Sequence, residues 1–477
     1  MPERGSCNEQ TRAKAPTNEL APLLMRRRWV GSLVILAVSL AACTGGTTGS
    51  YSEAPDRPPG NGPPVPSGPT GAELTEDLKW IATPVGELLD VAKVRKIGAV
   101  GDIRAAWVLA DVLRFIQVGP QAVSLIETLG ELTQQELDPF SPTAWVDVTN
   151  QLLLWDVPPP DDLRSIKAEL YLQQERHWAH FFDDVDADVD WRAVTWGGVP
   201  PDLRPLDDQN RCACIPALDH PAVTDAGGGE WLADRRVIFG VVVNGEARAY
   251  PRPIMEVHEM VNDTLGGREI AIPYCTLCGS AQAFFVDEGE SRLVMRTSGL
   301  LQRSNKIMFD LQSSSYFDTF AGTAISGPLQ GLTLTEISVV SSSWGDWKAE
   351  HPNTTIVAQD GGIGRAYGDD PLNGRDLSGP IFPVGYIDPR LGAPEQVLGV
   401  FLDNQAYAFP VVETVAVLES GGKPTVGGIS VELSGNGLIA FDAEGEQLQT
   451  HQAFWFAWSQ FNPRTLLWAP DDPAADE

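Results

Sequence analysis

The chain has 477 residues, of which 43% are hydrophobic, so it is long enough for two or three globular domains with buried cores. Its formal net charge of -30 at pH 7 would repel phosphate backbones, and we therefore expect no nucleic-acid partner. No Walker motif, dinucleotide fingerprint or Gly-x-Ser-x-Gly elbow occurs, which argues against the commonest nucleotide-binding and serine-hydrolase sites.

An export signal is predicted near the start of the chain. Residues 1–24 precede a second candidate start at Met25, and we interpret them as an over-long gene model or a cytoplasmic extension. From Met25 the sequence has three arginines, an apolar run of 14 residues from Trp29 to Ala42, and small residues before Cys43. Such a run is too short to cross a bilayer about 30 Å thick comfortably as a helix.

The stretch LAAC at 40–43 resembles a bacterial lipobox, so residues 25–43 are interpreted as a lipoprotein signal. The resemblance implies cleavage before Cys43, attachment of lipid such as palmitate to its thiol, and anchoring on the extracytoplasmic face of a membrane in the cell envelope. An ordinary signal peptide or an uncleaved anchor is the alternative. Export allows disulfides to persist, and the cysteines left in the folded part are Cys212, Cys214, Cys275 and Cys278.

The region after the signal divides into a linker and a helical domain. Residues 44–72 are rich in Gly, Pro, Ser and Thr, which predicts a disordered linker. Residues 73–200 are predicted to be helical, because apolar residues recur at spacings of three and four in stretches such as GDIRAAWVLADVLRF. This stretch resembles the helix of a HEAT-type repeat, and an irregular helical bundle is the alternative. The helical domain is a candidate surface for a protein partner.

Residues 205–470 consist of short β-branched runs separated by turn residues, which predicts a β-rich domain. Within it, Asn244-Gly245 predicts a two-residue hairpin turn. The series VIFGVVVNGEARAYP, LGGREIAI and AQAFFVD is echoed about 160 residues later by VLGVFLDNQAYAFP, VGGISVEL and LIAFDAE. We therefore predict an α+β multidomain protein whose β-rich domain contains an internal duplication. The second copy has no cysteine, so the chemistry is expected in the first.

The motif Cys275-Thr-Leu-Cys278 carries the strongest chemical signal in the chain. Two cysteines at this spacing can bind a soft metal ion, close a small disulfide, or exchange thiol and disulfide. His258 and Glu259 precede the pair by one predicted strand, and we take these four residues as the candidate metal-binding set. Thiolate and imidazole ligands suit copper or zinc.

Three hypotheses follow for this motif. The first is a soft-metal site formed by Cys275, Cys278 and His258. The second is thiol–disulfide exchange, which usually places the pair at a helix N-terminus, and the strand-like flanks make us prefer metal binding. The third is a non-catalytic binding or scaffold protein in which the pair forms a structural disulfide. The sequence identifies neither a substrate nor a small-molecule ligand.

Polar residues on both sides of the cysteine pair form a candidate site wall. Asn262 and Asp263 also suit a turn before Gly266-Gly267, and this is the alternative interpretation of them. The full set is Asn262, Asp263, Tyr274, Ser298, Arg303, Ser304 and Asp310.

A series of motifs resembles domain-of-unknown-function family 3179, which occurs in exported bacterial proteins. They include HEMVND, YCTLCGSAQAF, SGLLQRSNKIMFD, WGDWKAEHPNTTIV and GRAYGDDP, and the resemblance covers about residues 205–465. Thr276 stands where the family usually has Pro, and Tyr316–Asp318 occupies a segment where it more often has Trp and Gln. The Cys-Ala-Cys at 212–214 is not part of the family pattern, and a local disulfide is one use for it.

Overall fold

The computed structural model describes residues 49–58, 60–83, 89–289, 291–375 and 379–470, all of which fall in one compact unit. The predictions for residues 1–24 and for the lipidated Cys43 lie outside these ranges. Within them, no helix is long and apolar enough to span a membrane.

Helices dominate the first part of the unit and strands the second, which confirms the α+β class. The α-helices are α1 (Ala72–Ala82), α2 (Val91–Val100), α3 (Ala105–Phe115), α4 (Pro120–Thr133), α5 (Ala144–Leu154), α6 (Leu163–Tyr171), α7 (Ala179–Phe182), α8 (Arg252–His258), α9 (Trp344–Glu350), α10 (Val411–Glu419) and α11 (Trp455–Phe461). Short 3-10 helices lie at Arg176–Trp178 and Gly227–Gly229.

The strands are short, as the closely spaced turn residues predict. They are β1 (Ser50–Ser52), β2 (Val194–Trp196), β3 (Leu218–Asp219), β4 (Val223–Asp225), β5 (Val237–Val243), β6 (Glu246–Pro251), β7 (Met260–Leu265), β8 (Arg268–Cys275), β9 (Ser280–Ala281), β10 (Ala283–Phe285), β11 (Met295–Gln302), β12 (Asn305–Asp310), β13 (Tyr316–Asp318), β14 (Thr323–Ser326), β15 (Glu336–Ile337), β16 (Val339–Ser343), β17 (Thr355–Val357), β18 (Gln396–Leu402), β19 (Gln405–Pro410), β20 (Thr425–Val426), β21 (Ile429–Ser434), β22 (Gly437–Phe441), β23 (Gln447–Leu448), β24 (Thr450–Phe454) and β25 (Leu466–Ala469).

Two five-stranded sheets have the same strand order and directions. The first sheet runs β16-β5-β6-β17-β4 and the second runs β24-β18-β19-β25-β1. In each, an antiparallel hairpin forms the centre, an antiparallel strand flanks it on one side, and a parallel strand flanks it on the other. A short helix joins the flanking strands, α9 in the first sheet and α11 in the second.

A tryptophan on each of these short helices packs flat on a glycine of the central hairpin. The Trp347 ring covers Gly240 and the Trp458 ring covers Gly399, so closely that a Cβ on either glycine would overlap the ring. Each indole N–H donates to a threonine hydroxyl 2.9 Å away, Thr354 in the first sheet and Thr465 in the second.

The cysteine motif lies between two further sheets. One, the site sheet, runs β15-β10-β8-β7-β3, with β9 paired to β8. The other, the insert sheet, runs β14-β13-β12-β11-β2. A four-stranded sheet, β20-β21-β22-β23, follows the second central hairpin.

The helical region and the insert sheet share one hydrophobic core. Phe309 and Tyr316 of the insert sheet belong to the same buried cluster as the helical residues, and the ring centroids of Tyr316 and Phe181 are 4.8 Å apart. The indole N–H of Trp178 donates to the carbonyl of Ser298 at 2.8 Å. The helices therefore form one side of the core that supports the insert sheet.

Part of the predicted linker is ordered against the body. β1 pairs antiparallel with β25, and Tyr51 lies opposite Trp468. Further along, the backbone N–H of Thr70 donates to Asp161 at 2.7 Å. At Ser50–Ser52 and Thr70 the structure thus differs from the predicted disordered linker, and at Ser50–Ser52 this is because the edge strand β25 offers backbone partners.

Candidate functional site

The cysteine motif forms a tight turn at the end of β8. Cys275 is the last residue of β8, the N–H of Cys278 donates to the Cys275 carbonyl at 3.1 Å, and β9 begins at Ser280. Gly279 has φ +60°, a conformation that a residue without a side chain adopts at little cost. The strand-like flanks predicted for the pair are therefore confirmed, and no helix begins at the pair.

Both thiols are buried and converge on one carbonyl. Cys275 is 1% exposed, Cys278 is 0% exposed, and both are free thiols. Their sulfurs lie 3.8 and 3.5 Å from the carbonyl oxygen of Ser304. This carbonyl is presented by the β11–β12 hairpin turn, where Arg303 and Ser304 have φ +49° and +66°. Two left-handed residues are the geometry of a two-residue hairpin turn, at some cost when neither is glycine.

A buried lysine supplies positive charge beside Cys275. The ammonium of Lys306 donates to the backbone carbonyls of Glu259 and Tyr274 at 2.7 and 2.9 Å, and it lies 2.8 Å from the Glu259 carboxylate. The other carboxylate oxygen of Glu259 accepts from the Thr276 hydroxyl at 2.9 Å. These contacts hold the Lys306 ammonium group in place beside Cys275.

The second cysteine faces a polar chain that leads to a carboxyl group. The Cys278 sulfur lies 3.7 Å from the side-chain oxygen of Asn305, whose amide donates to Asp318 at 3.0 Å. Desolvation raises the pKa of Asp318 to about 6, although the Phe320 and Ala321 backbone N–H groups and the Asn305 amide stabilise its carboxylate. Asp318 can therefore take up a proton near neutral pH.

The two thiols differ in acidity. Burial opposes ionisation of Cys275, but the hydrogen bond from Cys278 and the charge of Lys306 outweigh it, so the pKa of Cys275 is lowered. Glu259 offsets part of the effect of Lys306. Burial raises the pKa of Cys278 well above its ordinary value, and donation of its proton to Cys275 raises it further. Cys275 is thus the first of the pair to become a thiolate.

Cys275 lines a small cavity of about 220 Å³ that is partly open to solvent. Its polar lining includes Glu259 and Lys306, and its apolar lining includes Leu277, Leu300 and Phe382. Cys278 lies behind the wall of this cavity. One sulfur of the pair therefore belongs to a residue that lines the cavity, whereas the other does not.

His258 does not join the cysteines. It ends α8, and Glu259 then turns the chain with φ +52°, so the two neighbours point to different surroundings. Its Nδ1 lies 2.7 Å from the carbonyl of Pro216, which can only accept, and its Nε2 lies 2.7 Å from the Tyr367 hydroxyl. Burial lowers the pKa of His258 to about 4, consistent with a neutral ring that donates at Nδ1 and accepts at Nε2.

The predicted four-residue metal-binding set is therefore not assembled. Within the described ranges, the one group of three or more His, Cys, Asp or Glu side chains close enough to share a metal ion is Asp202, Cys212 and Cys214. That group has no free thiol, because Cys212 and Cys214 are joined in a disulfide, and Asp202 pairs with Arg204 at 2.7 Å. Glu259 does lie beside Cys275, but its carboxylate is already paired with Lys306.

Two residues of the candidate wall, Tyr274 and Ser304, contribute backbone groups to the site. Asn262 and Asp263 are structural instead: the first ties β7 to the backbone of Met295 at 3.0 Å, and the second pairs with Arg248 at 2.7 Å.

The other predicted wall residues also hold the fold together. Ser298 donates to the carbonyl of Ile307 at a bulge between β11 and β12. Asp310 accepts from the N–H of Val294 at 2.7 Å, at the far end of β12 from the cysteines. Arg303 lies in the turn that presents Ser304, but its guanidinium points to Asp190, 3.7 Å away.

Two residues of the site, Lys306 and Asp318, are absent from the set predicted from the sequence. Lys306 is the one charged residue inside the apolar strand NKIMFD before its terminal aspartate, and a lysine in such a position is rarely buried unless it is paired. Asp318 lies in the segment that departs from the family pattern. Both signals were visible, but neither indicated which distant residue would be the partner.

The fold and the site define an α+β protein with a buried, asymmetric dithiol. Residues 212–426 match the model of the family described as "Protein of unknown function (DUF3179)", so the family predicted from the motifs is confirmed for this stretch. No curated protein and no solved structure matches the chain.

Proposed function

We propose that the protein is a thiol–disulfide exchange protein in which Cys275 attacks and Cys278 resolves. The observation that carries this proposal is the asymmetry of the pair: Cys275 faces a cavity beside Lys306, whereas Cys278 is enclosed and faces the chain to Asp318. A low thiol pKa normally comes from a helix N-terminus or a nearby cation, and here the lysine takes the place of the helix.

The exchange needs only the protein dithiol and one small disulfide as reactants. The Cys275 thiolate attacks one sulfur of a small disulfide, which forms a mixed disulfide and releases the other sulfur as a thiolate. Cys278, whose sulfur lies 3.7 Å from the side-chain oxygen of Asn305, then gives up its proton to the released thiolate and attacks the Cys275 sulfur. The product is a Cys275–Cys278 disulfide and a second released thiol. The incoming disulfide is reduced and the protein dithiol is oxidised.

The test uses bis(2-hydroxyethyl) disulfide, which is small and uncharged. Reduced, folded Cys212→Ser/Cys214→Ser protein is exposed to it at pH 7, alone and with Cys275→Ser or Cys278→Ser, and the products are mapped by mass spectrometry. We expect a Cys275–Cys278 disulfide in the first, a stable mercaptoethanol adduct on Cys275 in the Cys278→Ser protein, and no adduct in the Cys275→Ser protein. Equal reaction of the Cys275→Ser protein, or none in any of them, contradicts the proposal.

Soft-metal binding is the second candidate, and the two converging sulfurs favour it. Two thiolates suit Cu(I), whereas a structural zinc site needs four ligands. If copper binding is the function, titration of Cu(I) into the reduced protein will be lost with Cys275→Ser and unchanged with His258→Ala. Loss of binding with His258→Ala would revive the original ligand set.

We also propose that the mature protein is anchored in the cell envelope through a lipid on Cys43. The apolar run followed by LAAC supports this proposal. Palmitate labelling of cells expressing the wild type and Cys43→Ser is the test, and equal labelling of the two proteins would contradict it.

We further infer that the β-rich part carries one unit twice. The shared order of the first and second sheets and the matching Trp-on-Gly contacts support this inference. So does a reciprocal contact: the carbonyl of Cys278 accepts from the N–H of Phe454, just before α11, and the side chain of Asn436 accepts from the N–H of Ser343, just before α9.

A further inference from the structure

The disulfide between Cys212 and Cys214 is not used by the function proposed above. It lies in the loop before β3, with Cys212 exposed and Cys214 buried. The loop borders a polar cleft of about 620 Å³, which His258 and Arg365 also line. The bridge therefore has one sulfur toward solvent and the other toward the interior.

The same loop forms the wall between this cleft and the Cys275 cavity. Cys214 lines the cleft, and Ile215, the next residue, lines the cavity onto which Cys275 opens. Consecutive Cα atoms are about 3.8 Å apart, so the disulfide begins one residue beyond the cavity wall. The carbonyl of Ile215 accepts from the Thr297 hydroxyl at 2.9 Å, and that of Pro216 lies against His258.

A purely structural role explains this bridge poorly. A disulfide stabilises a fold least when the loop it closes is short, and this one joins residues only two positions apart. The loop is also held by hydrogen bonds that do not involve the disulfide. Arg204 donates to the carbonyls of Asp208 and Asn210 before the bridge, and Asp202 accepts from the Ala217 N–H after it. The disulfide lies on the tip between these fixed points.

We propose that the Cys212–Cys214 disulfide is a second redox centre that accepts electrons from the Cys275–Cys278 dithiol across this wall. The inference rests on the proposed function of the dithiol. Cys275 is 1% exposed and its cavity is about 220 Å³, whereas Cys212 is exposed beside a cleft of about 620 Å³. A partner thiol or disulfide too large for the cavity can therefore exchange at Cys212, and the outer pair connects it to the inner one.

The transfer proceeds by two exchanges. The Cys275 thiolate attacks the Cys214 sulfur, the Cys212–Cys214 bond breaks, and Cys212 leaves as a thiolate that takes up a proton. Cys278 loses its proton and attacks Cys275, the Cys275–Cys214 bond breaks, and Cys214 leaves as a thiolate. The inner pair is then oxidised and the outer pair reduced, with no external oxidant.

The experiment starts from full-length protein with the outer pair oxidised and the inner pair reduced. Samples are incubated without oxidant, quenched with N-ethylmaleimide over time, and mapped by non-reducing peptide mass spectrometry. In the wild type we expect alkylated Cys212 and Cys214 to appear together with a Cys275–Cys278 disulfide, at a rate unchanged by tenfold dilution. In Cys278→Ser we expect a linkage from Cys275 to Cys214 or Cys212 within one chain, and in Cys275→Ser/Cys278→Ser no release of Cys212.

Two failures are distinguishable. If Cys275 forms an adduct with bis(2-hydroxyethyl) disulfide but the outer bridge stays intact in both the wild type and Cys278→Ser, the relay is wrong and the proposed function stands. If Cys275 reacts with neither disulfide in protein that keeps its thermal transition, both are wrong. A linkage whose rate falls tenfold on dilution is intermolecular and also overturns the relay.

Discussion

The first and second sheets share a scaffold but not a chemistry. In each, a central hairpin, a flanking strand on either side and a short tryptophan-bearing helix occur in the same arrangement. A further hairpin with a Gly-Gly turn follows in both, at 266–267 in the first case and 427–428 in the second. The glycine and the tryptophan that pack together occur in both regions, whereas the cysteines occur only in the region of the first sheet.

The two regions differ at the turn that follows the second strand of this further hairpin. After β8 the chain forms the cysteine turn, which meets the backbone of Phe454. After β21 it forms a two-residue turn at Gly435 and Asn436, which meets the backbone of Ser343. The insert sheet, which brings Ser304, Lys306 and Asp318 to the cysteines, has no equivalent after β22. The scaffold therefore positions a turn, and the insert sheet surrounds that turn with the charged and polar groups beside the cysteines.

The largest expected effect comes from removal of the helical region. A fragment of residues 205–470 exposes the face of the insert sheet that carries Leu300, Ile307, Phe309 and Tyr316. At about 1.5–3 kcal/mol for each side chain, the loss rivals the whole stability of a typical domain. We expect no cooperative thermal transition in this fragment. A fragment that melts cooperatively near the full-length temperature would show that the two regions have independent cores.

The shared packing predicts equal losses in the two sheets. Gly240→Ala and Gly399→Ala each place a Cβ inside a tryptophan ring, and each should lower the free energy of unfolding by about 3 kcal/mol. Gly71→Ala, at a glycine with open space and φ -59°, is the control and should change little. Urea denaturation gives all three values. A neutral effect at only one of the two buried glycines would break the correspondence between the sheets.

The insert sheet predicts an effect of pH on stability through Asp318. The pKa of Asp318 is raised to about 6 in the folded protein, so the folded state binds more protons and the stability contribution falls as pH rises from about 4 to 6. Asp318→Asn should match the wild type near pH 4 and exceed it by about 2 to 3 kcal/mol at pH 7. Urea titrations at both pH values measure this. A constant difference would mean that Asp318 is not desolvated.

His258 should change the stability with pH in the direction opposite to Asp318. Its folded pKa of about 4 lies below the ordinary value of 6.5, so its contribution is present above 6.5 and is lost as pH falls toward 4. In the same titrations, His258→Gln should lose that rise in stability between pH 4 and 6.5. If the wild type and His258→Gln follow parallel curves, the ring is not held neutral.

The smallest expected effect is on the pKa of Cys275, which the two charged residues beside it should shift in opposite directions. Glu259→Gln removes a negative charge and should lower the pKa of Cys275, whereas Lys306→Gln should raise it. A change of one pKa unit corresponds to about 1.4 kcal/mol and a tenfold change in thiolate below the pKa. Thiolate absorbance against pH gives the values. Shifts in the same direction would show that local unfolding, not charge, controls the thiol.

Local sequence signals predicted the features that depend on neighbouring residues. Asn244-Gly245 forms the hairpin turn between β5 and β6, with φ +50° and +82°, and Cys275 ends a strand as expected. The family was also recognisable, because its motifs are contiguous stretches.

Features that depend on distant packing were not predictable. His258 and Glu259 are adjacent in sequence, yet the left-handed turn at Glu259 sends one to Pro216 and the other to Lys306. Asp318 reaches Asn305, the neighbour of Cys278, because β13 pairs with β12 across the insert sheet. His258 lies close to Cys275 in the sequence. Which side chains meet in the fold, however, depends on how the strands pair in the sheets, and sequence spacing does not reveal that pairing.

The central claim is that Cys275 is the acidic, reactive member of the pair, and the pH dependence of its alkylation tests this most directly. Native Cys212→Ser/Cys214→Ser protein is treated with iodoacetamide across pH 5 to 10, and modification at Cys275 and Cys278 is followed separately by peptide mass spectrometry. We predict that Cys275 is modified with a midpoint below the ordinary thiol value of about 8.5 and that Cys278 stays unmodified in the folded protein. Equal modification of both cysteines, or a Cys275 midpoint above the ordinary value, would contradict the account.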